Sequence, residues 1–273
     1  MKTIHKKPLN IAPVAGYTFD KANHVHALDG KPLTGVTTIL GVINKPMLIQ
    51  WAANQVVEYI KANCEIEKTK PFTDAKEHVA YFVSEERLNE AKTAHRKKKE
   101  AAGDWGTEVH AEVEKYINNA MICEPSGTID KTEYDSRITH FITWAKDNKV
   151  KFLASEKNIY SKEMWVGGIA DIVCEIDGKR FVGDIKTSSG IYPEHFIQAS
   201  AYAEMLREMG REIAPSPEEV RPELYRPFDG VVIINLKKTG EIDVKFNYDV
   251  EGNFNCFKAA LTLYRHLNAI KPN

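Results

Sequence analysis

Residues Trp165–Tyr202 read WVGGIADIVCEIDGKRFVGDIKTSSGIYPEHFIQASAY, and this stretch decides the fold that the sequence predicts. The dipeptide Asp177-Gly178 separates two runs rich in β-branched and apolar residues, Ile169–Ile176 and Lys179–Lys186. Asp-Gly favours a two-residue type I′ turn, because both central residues of that turn need a positive φ. The stretch therefore predicts a β-hairpin.

The turn also fixes the register of the hairpin. If Ile176 lies opposite Lys179, then Asp171 lies opposite Asp184. Directly opposed side chains have Cβ atoms about 4.5–5.5 Å apart, and like charges there are destabilising unless a cation intervenes. Because side chains alternate along a strand, Lys186 shares a face with Asp184. The hairpin thus predicts two carboxylates and a lysine together at its open end.

This group of side chains suits metal-assisted hydrolysis of a phosphodiester. Carboxylate oxygens select Mg²⁺ or Mn²⁺. Such an ion polarises a phosphoryl oxygen and lowers the pKa of its bound water. Lys186 would position that water or neutralise developing negative charge. His110, on a predicted helix upstream, could complete the ligand set, and Mn²⁺ tolerates imidazole better than Mg²⁺ does.

The length, net charge and cysteine content of the chain limit which classes of protein it can belong to. A chain of 273 residues with 43% hydrophobic content is long enough for one large core, or for a core with an appended subdomain. A net charge of −1 argues against nucleic-acid binding through bulk basicity but leaves room for a local basic groove. The four cysteines are scattered without a C-x-x-C pair, so a zinc site or a cysteine-held iron–sulfur cluster has no local support.

Targeting signals are not found in the sequence. No run approaches 18 uninterrupted apolar residues, and the N-terminal lysines are not followed by a sustained apolar core. We therefore expect neither a transmembrane helix nor a signal peptide. No glycine loop ends in Gly-Lys-Ser/Thr, which argues against a nucleotide-driven motor. The expectation is a cytoplasmic protein with reduced thiols.

The N-terminal part of the chain predicts strands and then a helix. Tyr17–Leu40 is typical of a hairpin turned at Asp29-Gly30, which ends in the β-branched run Val36–Ile39. Met47–Ala62 has apolar residues close to a 3.6-residue period, so we expect a helix packed on the core.

The segment Thr73–Lys99 is dense in charge and predicts a charged helix with a modest apolar stripe, either as a surface hairpin or as an arm over a groove. It ends in a basic run, His95-Arg96-Lys97-Lys98-Lys99. An ordinary solvated helix end and a phosphate-contacting surface explain this run about equally well. Its position just before the next motif slightly favours phosphate contact.

A helix over Gly103–Ala120 carries His110 and Glu114 four residues apart, on one stripe. A lone histidine beside an apolar face is more often packed or hydrogen-bonded than a ligand, so metal binding is here the minority interpretation. A second helix is predicted over Lys131–Lys146. The following strand, Phe152–Tyr160, contains one acid whose surroundings in the sequence do not distinguish it from a solvent-facing residue, Glu156.

After the hairpin, Pro193 suits the first turn of a helix that places Gln198 and Tyr202 at positions i and i+4. These polar groups either address a ligand or belong to a half-buried tyrosine satisfied locally. Residues 211–227 contain four prolines and predict a loop insertion. Two strands and a closing helix are predicted beyond it, over Gly230–Leu236, Glu241–Tyr248 and Phe254–Ile270.

Several of these residues form an ordered set: Gly106-Thr107-x-x-His110, Asp171, Asp184-Ile185-Lys186, and then Gln198 with Tyr202. This set resembles the PD-(D/E)XK nuclease superfamily, and more narrowly its RecB-type exonuclease branch. That branch includes phage and bacterial RecB-like nucleases and the mitochondrial genome-maintenance exonuclease. The resemblance covers roughly Gly103–Tyr202 well and the flanks loosely. D-x-K alone recurs by chance, whereas the ordered set is more specific.

The resemblance implies an α/β fold of mixed α+β type with a restriction-endonuclease-like core, in which helices flank a central mixed β-sheet. It implies one nuclease domain over residues 1–273. Relatives thread single-stranded DNA under helices that arch over the site. Residues 73–102 are by analogy the candidate helical arm, and Arg96, Lys97, Lys98 and Lys99 the candidate phosphate contacts.

The resemblance also implies roles for individual residues. Asp171, Asp184 and Lys186 would be catalytic. The metal would be held by His110, Asp171, Asp184 and the carbonyl of Ile185, so that metal binding becomes the favoured interpretation of the histidine. Gln198 and Tyr202 match a motif that contacts DNA or supports the site. Glu156 lies where similar sequences often carry an acid, without a defined role, and Glu114 is a further candidate.

The expected function is a metal-dependent deoxyribonuclease, an exonuclease that prefers single strands or ends, acting in recombination, repair or phage DNA metabolism. Endonuclease action by the same site, or a non-catalytic nucleic-acid-binding protein on a decayed nuclease fold, are the alternatives. The expected cofactor is Mg²⁺ or Mn²⁺. Some relatives hold an iron–sulfur cluster on one upstream and three C-terminal cysteines, and this sequence lacks that cluster of cysteines. The expected partner is DNA, without a membrane, in the cytoplasm of a bacterial or phage-infected cell.

Overall fold

A computed structural model of the protein describes residues 16–43, 45–69, 78–122, 134–212 and 226–269. The strands are β1 (Tyr17–Asp20), β2 (Val25–Leu28), β3 (Lys31–Pro32), β4 (Thr34–Gly35), β5 (Glu65–Thr69), β6 (His78–Phe82), β7 (Lys151–Ser161), β8 (Val166–Ile176), β9 (Lys179–Lys186), β10 (Gly230–Leu236) and β11 (Ile242–Asn247). The helices are α1 (Val36–Leu40), α2 (Pro46–Asn63), α3 (Glu85–Ile122), α4 (Thr139–Asp147), α5 (Pro193–Glu212) and α6 (Val250–Ala269).

The chain divides into two compact units. One is formed by the described parts of Met1–Ile43 and Glu108–Asn273, and the other by those of Asn44–Thr107. The first unit holds the large sheet with its flanking helices. The second holds α2, the β5–β6 hairpin and the N-terminal part of α3. The expectation of one nuclease domain over residues 1–273 stays a prediction.

The sheet of the first unit is mixed. Its strands follow the order β11-β10-β9-β8-β4, and β7 also pairs with β8. The β7–β8, β8–β9 and β10–β11 pairs are antiparallel, whereas β9–β10 and β4–β8 are parallel. Helices flank this sheet, so the mixed α/β architecture expected from the sequence is confirmed.

Both faces of the sheet are buried. One face contributes Val173, Val182 and Ile233 to a hydrophobic core shared with α1, α5 and α6. The alternate residues of the same strands are also shielded from solvent; Ile172 and Phe181, for example, are at most 2% exposed. All seven residues of β10 are buried, as its continuous apolar run predicts. Helices α3 and α4 pack through Tyr116 and Phe141 onto an aromatic residue of β7, Phe152.

The central hairpin has the predicted turn and register. Asp177 and Gly178 both have positive φ, 50° and 75°, as a type I′ turn requires. Ile176 lies opposite Lys179, and the register is uniform as far as the pair of Ile172 and Gly183.

The N-terminal hairpin was predicted only in part. The turn at Asp29-Gly30 is confirmed and joins β2 to β3, but a further strand, β1, pairs with β2. The run Val36–Ile39, predicted as a strand, is helical and belongs to α1. Its buried residues are spaced i, i+3 and i+4, so that one helical turn covers the core better than a strand would: Val36, Ile39 and Leu40.

The predicted charged helix over Thr73–Lys99 was wrong at its start. Residues 73–77 lie outside the described part of the chain, β6 follows, and the helix begins only at Glu85. It then continues without a break through Gly103 to Ile122, so the two predicted helices are one, α3. A single glycine costs a helix only about 1 kcal/mol, which its helix-favouring neighbours offset. The arching of residues 73–102 over a site stays a prediction.

Other boundaries also shift. The helix predicted over Lys131–Lys146 begins later than expected, because α4 starts at Thr139. A 3₁₀ turn over Ser136–Ile138 precedes it, and residues 131–133 lie outside the described part of the chain. Of the proposed loop insertion over residues 211–227, the first two residues belong to α5, and 213–225 lie outside the described part. Helix α2 forms as predicted, and its one buried residue is Gln55. It belongs to the second unit, and its expected packing on the core stays a prediction.

Candidate metal centre

The open end of the hairpin holds Asp171 and Asp184, one on each strand. The β8–β9 ladder ends at the pair of Ile172 and Gly183, so that both acids lie one position beyond it. There, the Asp171 Oδ2 atom accepts a hydrogen bond from the backbone amide of Ile185 at 2.8 Å. The carboxylate of Asp171 thus takes the place of a backbone acceptor and joins the two strands where their own pairing stops.

Three side chains converge at this end of the hairpin: His110 from α3, Glu156 from β7 and Asp171 from β8. Each offers one ligand atom, and the three atoms lie within 4.8 Å of one another. The Nδ1 atom of His110 is 3.7 Å from Asp171 Oδ2 and 3.8 Å from Glu156 Oε1. All three residues are partly buried, so the group lies in a recess that remains open to solvent.

Asp184 is buried next to this group. Its side chain is 1% exposed and its Oδ2 atom lies 2.7 Å from the Nζ atom of Lys186. The other carboxylate oxygen, Oδ1, is buried without a hydrogen-bond partner. The lysine therefore compensates one oxygen of Asp184 and leaves the other without a donor.

Lys186 is held from its other side by α5. Its ammonium donates a hydrogen bond to Gln198 Oε1 at 3.2 Å, and Gln198 Nε2 donates to the hydroxyl of Tyr202 at 3.0 Å. The i and i+4 spacing predicted from the sequence places both groups on the face of α5 nearest the lysine.

The pKa values of Asp171 and Asp184 are raised above their ordinary value. Burial raises the pKa of Asp171, although the charges of His110 and Lys186 oppose this. Burial likewise raises the pKa of Asp184, against the charge of Lys186 and with a further upward push from the charge of Asp171. Burial is the main cause of both shifts, because it disfavours the charged form of each carboxyl group.

The pKa values of the two basic groups are also raised, but here the cause is the neighbouring carboxylates. Burial by itself lowers the pKa of His110, but the contact with Glu156 and the charges of Asp171, Glu156 and Asp184 outweigh burial and raise it. The pKa of Lys186 is also raised, because Asp184 and Asp171 outweigh its burial. The carboxylates thus attract positive charge to this place.

The donor set fits a hard divalent cation. A buried carboxylate oxygen without a hydrogen-bond donor is costly unless a cation compensates it, and Asp184 Oδ1 is such an oxygen. One imidazole nitrogen and several carboxylate oxygens are ligands that Mn²⁺ accepts, and the oxygens also suit Mg²⁺. A cation would therefore be held by His110, Glu156, Asp171 and Asp184.

Most of the predicted site residues are brought together. His110, Asp171, Asp184, Lys186, Gln198 and Tyr202 all belong to the same compact unit and to one connected group of contacts. Ile185 lies between the two catalytic candidates, and its amide is engaged with Asp171; a role for its carbonyl stays a prediction. Glu114 lies one helical turn beyond His110 and is not one of the three converging ligands.

The basic run lies in the other unit. Arg96 and Lys98 form ion pairs with Glu100 at 3.8 Å and Glu58 at 3.0 Å, and Lys97 and Lys99 are exposed. Their proposed contact with phosphates stays a prediction.

Glu156 is the candidate ligand that the sequence interpretation left without a role. A bulge in β7 between Phe152 and Ala154 shifts the pairing with β8 by one residue, and Glu156 then lies level with Asp171, between the pairs Ser155–Ile172 and Lys157–Ala170. With the register that precedes the bulge, it would lie opposite Ala170 and face the other side of the sheet. A bulge of this kind has no local sequence signal here, so only the β7–β8 pairing identifies the ligand.

His195, which the sequence places on one helical stripe with Gln198 and Tyr202, also lies near the site, although it was not among the predicted site residues. It is buried in the first turn of α5, its Nδ1 atom accepts a hydrogen bond from the amide of Tyr192 at 3.3 Å, and its charge acts on the pKa of Asp184. Its position three residues before Gln198 on the same stripe was the available signal.

Among the described residues, none of the helices has both the length and the apolar character needed to cross a membrane. No protein-family model matches the sequence, and no curated protein is significantly similar to it.

Proposed function

We propose that this protein is a metal-dependent deoxyribonuclease that hydrolyses phosphodiester bonds, and that it acts as an exonuclease on single strands or DNA ends. The observation that carries the proposal is the convergence of His110, Glu156 and Asp171 beside the buried ion pair of Asp184 and Lys186. Hard ligands around one place, with a lysine ammonium at its border, suit a reaction that develops negative charge on phosphoryl oxygens.

Each residue has a distinct task in the proposed reaction. His110, Glu156, Asp171 and Asp184 would hold Mg²⁺ or Mn²⁺. When bound, such a cation supplies Lewis-acid polarisation of a phosphoryl oxygen and makes water more acidic. Lys186 keeps a positive charge at Nζ, where it neutralises charge that develops during attack of water on phosphorus and departure of the sugar oxygen.

The ordered set of His110, Asp171, Asp184, Lys186, Gln198 and Tyr202 supports placing the protein in the PD-(D/E)XK superfamily, in its RecB-type branch. The mixed sheet flanked by helices is compatible with the restriction-endonuclease-like core of that superfamily. DNA as substrate, action in recombination, repair or phage DNA metabolism, and a cytoplasmic location are part of the same proposal.

The first test is a digestion with purified protein. Single- and double-stranded DNA, end-labelled and with free or blocked ends, is incubated with Mg²⁺, Mn²⁺ or EDTA. We expect metal-dependent release of short products from free ends. Internal cuts in blocked substrates would favour an endonuclease, and intact DNA in every condition would mean that the protein is not a nuclease.

The second test concerns the residues. Asp184→Ala and Lys186→Ala should each abolish cleavage while the fold is retained, because they remove a metal ligand and the neutralising charge. The matched control is Asp177→Asn, at the exposed turn of the same hairpin, where asparagine also accepts the positive φ of 50°. Normal turnover by either alanine variant would show that the site is elsewhere.

A further inference from the structure

Gly168, three residues before Asp171 on β8, lies directly against the ring of Tyr202. A Cβ atom at this glycine would be 2.6 Å from Tyr202 Cε1 and 3.3 Å from Cζ. Tyr202 is 4% exposed, so its ring has little room to move away. The missing side chain of Gly168 is therefore what allows the ring to rest on the strand that carries Asp171.

The packing of the Tyr202 ring on Gly168 positions the hydroxyl group of Tyr202 for its hydrogen bond with Gln198. With its ring held, Tyr202 presents its hydroxyl oxygen to Gln198 Nε2 at 3.0 Å. The other end of that amide, Oε1, accepts from Lys186 at 3.2 Å. The reverse amide orientation would place two donors, the NH₂ group and the ammonium, against each other, so the contact with Lys186 determines which way the amide points.

Lys186 needs such support because its ammonium ends a flexible four-carbon chain with three rotatable donors. Its contact with Asp184 at 2.7 Å restrains it from one side. The Gln198 oxygen restrains it from a second side, and Tyr202 and Gly168 restrain the glutamine.

We propose that Gly168, Tyr202 and Gln198 are positioning residues, which hold the ammonium of Lys186 at the metal centre. None of them need touch DNA. This inference rests on the proposed nuclease function, in which Lys186 is catalytic, and it replaces the alternative that Gln198 and Tyr202 contact the substrate.

A double-mutant cycle tests the contact between Gly168 and the ring of Tyr202. Gly168→Ala should lower kcat by about 10- to 100-fold, the range typical of a lost supporting contact around a site. In a Tyr202→Ala background, which removes the clashing ring, the same glycine substitution should change kcat by less than about 2-fold. Equal losses in both backgrounds would overturn the proposal.

The neighbouring glycine provides a matched control. A Cβ atom at Gly167 would lie 2.6 Å from the Cβ atom of His26, so Gly167→Ala causes a comparable clash on the same strand. The residue that it meets, His26 of β2, is not among the residues that converge at the candidate metal centre. We expect Gly167→Ala to lower stability while the folded protein keeps its kcat. A loss of kcat equal to that of Gly168→Ala would show that any disturbance of β8 suffices, and would contradict the inference.

Gln198→Met separates positioning from substrate contact. It keeps the length of the side chain and removes the acceptor of Lys186, so kcat should fall by about 10- to 100-fold with KM and DNA affinity within about 2-fold of wild type. A raised KM with unchanged kcat would show that Gln198 binds DNA instead.

A measurement that does not depend on DNA cleavage tests this inference separately from the proposed function. In protein labelled with ¹⁵N-lysine, the ammonium resonance of Lys186, assigned with Lys186→Ala, should be protected from exchange and should lose that protection in Gly168→Ala and Gln198→Met. Unchanged protection would overturn the inference. Wild-type protein that fails to cleave DNA but shows these losses would refute the nuclease function alone.

Discussion

Glu156 combines a strained backbone with a position in the candidate metal centre. Its φ is 45°, in the left-handed region, although it is not a glycine and lies inside a strand. Such a conformation costs a residue with a Cβ atom about 1–2 kcal/mol. The bulge of β7 and this local backbone together direct the carboxylate toward His110. Backbone strain of this kind is retained where the surrounding structure enforces it, often at functional sites.

The strain predicts an unusual order of stability for two truncations. Glu156→Gly should be more stable to chemical unfolding than Glu156→Ala by about 1 kcal/mol, since glycine adopts a positive φ without steric cost. Elsewhere in a strand, glycine is the less stable of the two. Denaturation in urea with EDTA present measures the difference. Equal stabilities, or a more stable alanine variant, would show that the backbone at this position is unstrained.

Both Glu156 variants should have lost DNA cleavage, because both lack the carboxylate. Each variant is the control of the other, because both lack the carboxylate and they differ only in the Cβ atom. A difference in unfolding free energy between them therefore reports the backbone and not the metal.

At the scale of the elements, the loop that follows β9 is fixed by a buried side chain of β10. Asn235 is fully buried; its Oδ1 accepts from the amide of Ser188 and its Nδ2 donates to the carbonyl of Ser188, each at 3.0 Å. The parallel pairing of β9 with β10 places Asn235 opposite Lys186. The side-chain amide of Asn235 thus replaces a backbone partner for Ser188, two residues beyond the D-x-K motif.

Removing that amide should loosen the loop and lower stability. Asn235→Ala leaves two backbone groups of Ser188 without partners, so we expect a loss of about 2 kcal/mol in unfolding free energy. Asn247→Ala is the control, since this asparagine of β11 accepts a single exposed hydrogen bond, from the amide of Asp249. Equal small losses in both variants would mean that water replaces the contacts of Asn235 at no cost.

The small β1–β2–β3 sheet contributes a buried histidine. His26 is 3% exposed, its ring stacks on Phe19, and its Nδ1 atom lies 2.6 Å from the hydroxyl of Tyr17. Burial, with a smaller effect of the charge on His24, lowers the pKa of His26 from 6.5 to about 4. The folded protein therefore holds this imidazole neutral at pH values where the unfolded chain would protonate it.

This shift predicts a loss of stability in mild acid. The contribution of His26 is complete above about pH 6.5 and is lost as the pH falls from there toward 4, because the unfolded state then binds the additional proton. The loss should reach about 1–3 kcal/mol. His26→Gln, whose amide can still meet Tyr17, should lack this part of the pH dependence. Unfolding curves that run parallel for the two proteins from pH 7 to 4.5 would contradict the prediction.

At the scale of the whole molecule, the candidate metal centre joins elements that are distant in the sequence. His110 comes from α3, Glu156 from β7 and Asp171 from β8. Carboxylates brought together in this way repel one another unless a cation balances them. The fold and the metal are therefore expected to stabilise each other.

Metal binding should raise the stability of the wild-type protein. At a cation concentration of 100 times its Kd, the gain in unfolding free energy is about 2.7 kcal/mol if the unfolded chain does not bind the ion. Asp171→Asn should lose most of this gain, whereas Asp177→Asn at the far end of the hairpin should keep it. Thermal unfolding with Mn²⁺ and with EDTA measures the effect. A gain in Asp171→Asn as large as in wild type would place the ion elsewhere.

The sequence by itself determined the central hairpin, its register and the common location of Asp171, Asp184 and Lys186. These features follow from turn chemistry at Asp177-Gly178 and from strict alternation along a strand, which are local rules. The i and i+4 pair on α5 followed from helical periodicity in the same way.

The tertiary structure decided the rest of the site. Glu156 faces Asp171 only because β7 pairs with β8 through a bulge, and the seat of Tyr202 on Gly168 requires α5 to pack on β8. The β-branched start of α1 is helical because the core covers its one apolar face. Such contacts join residues far apart in the chain, and the free energy of packing them overrides local propensity.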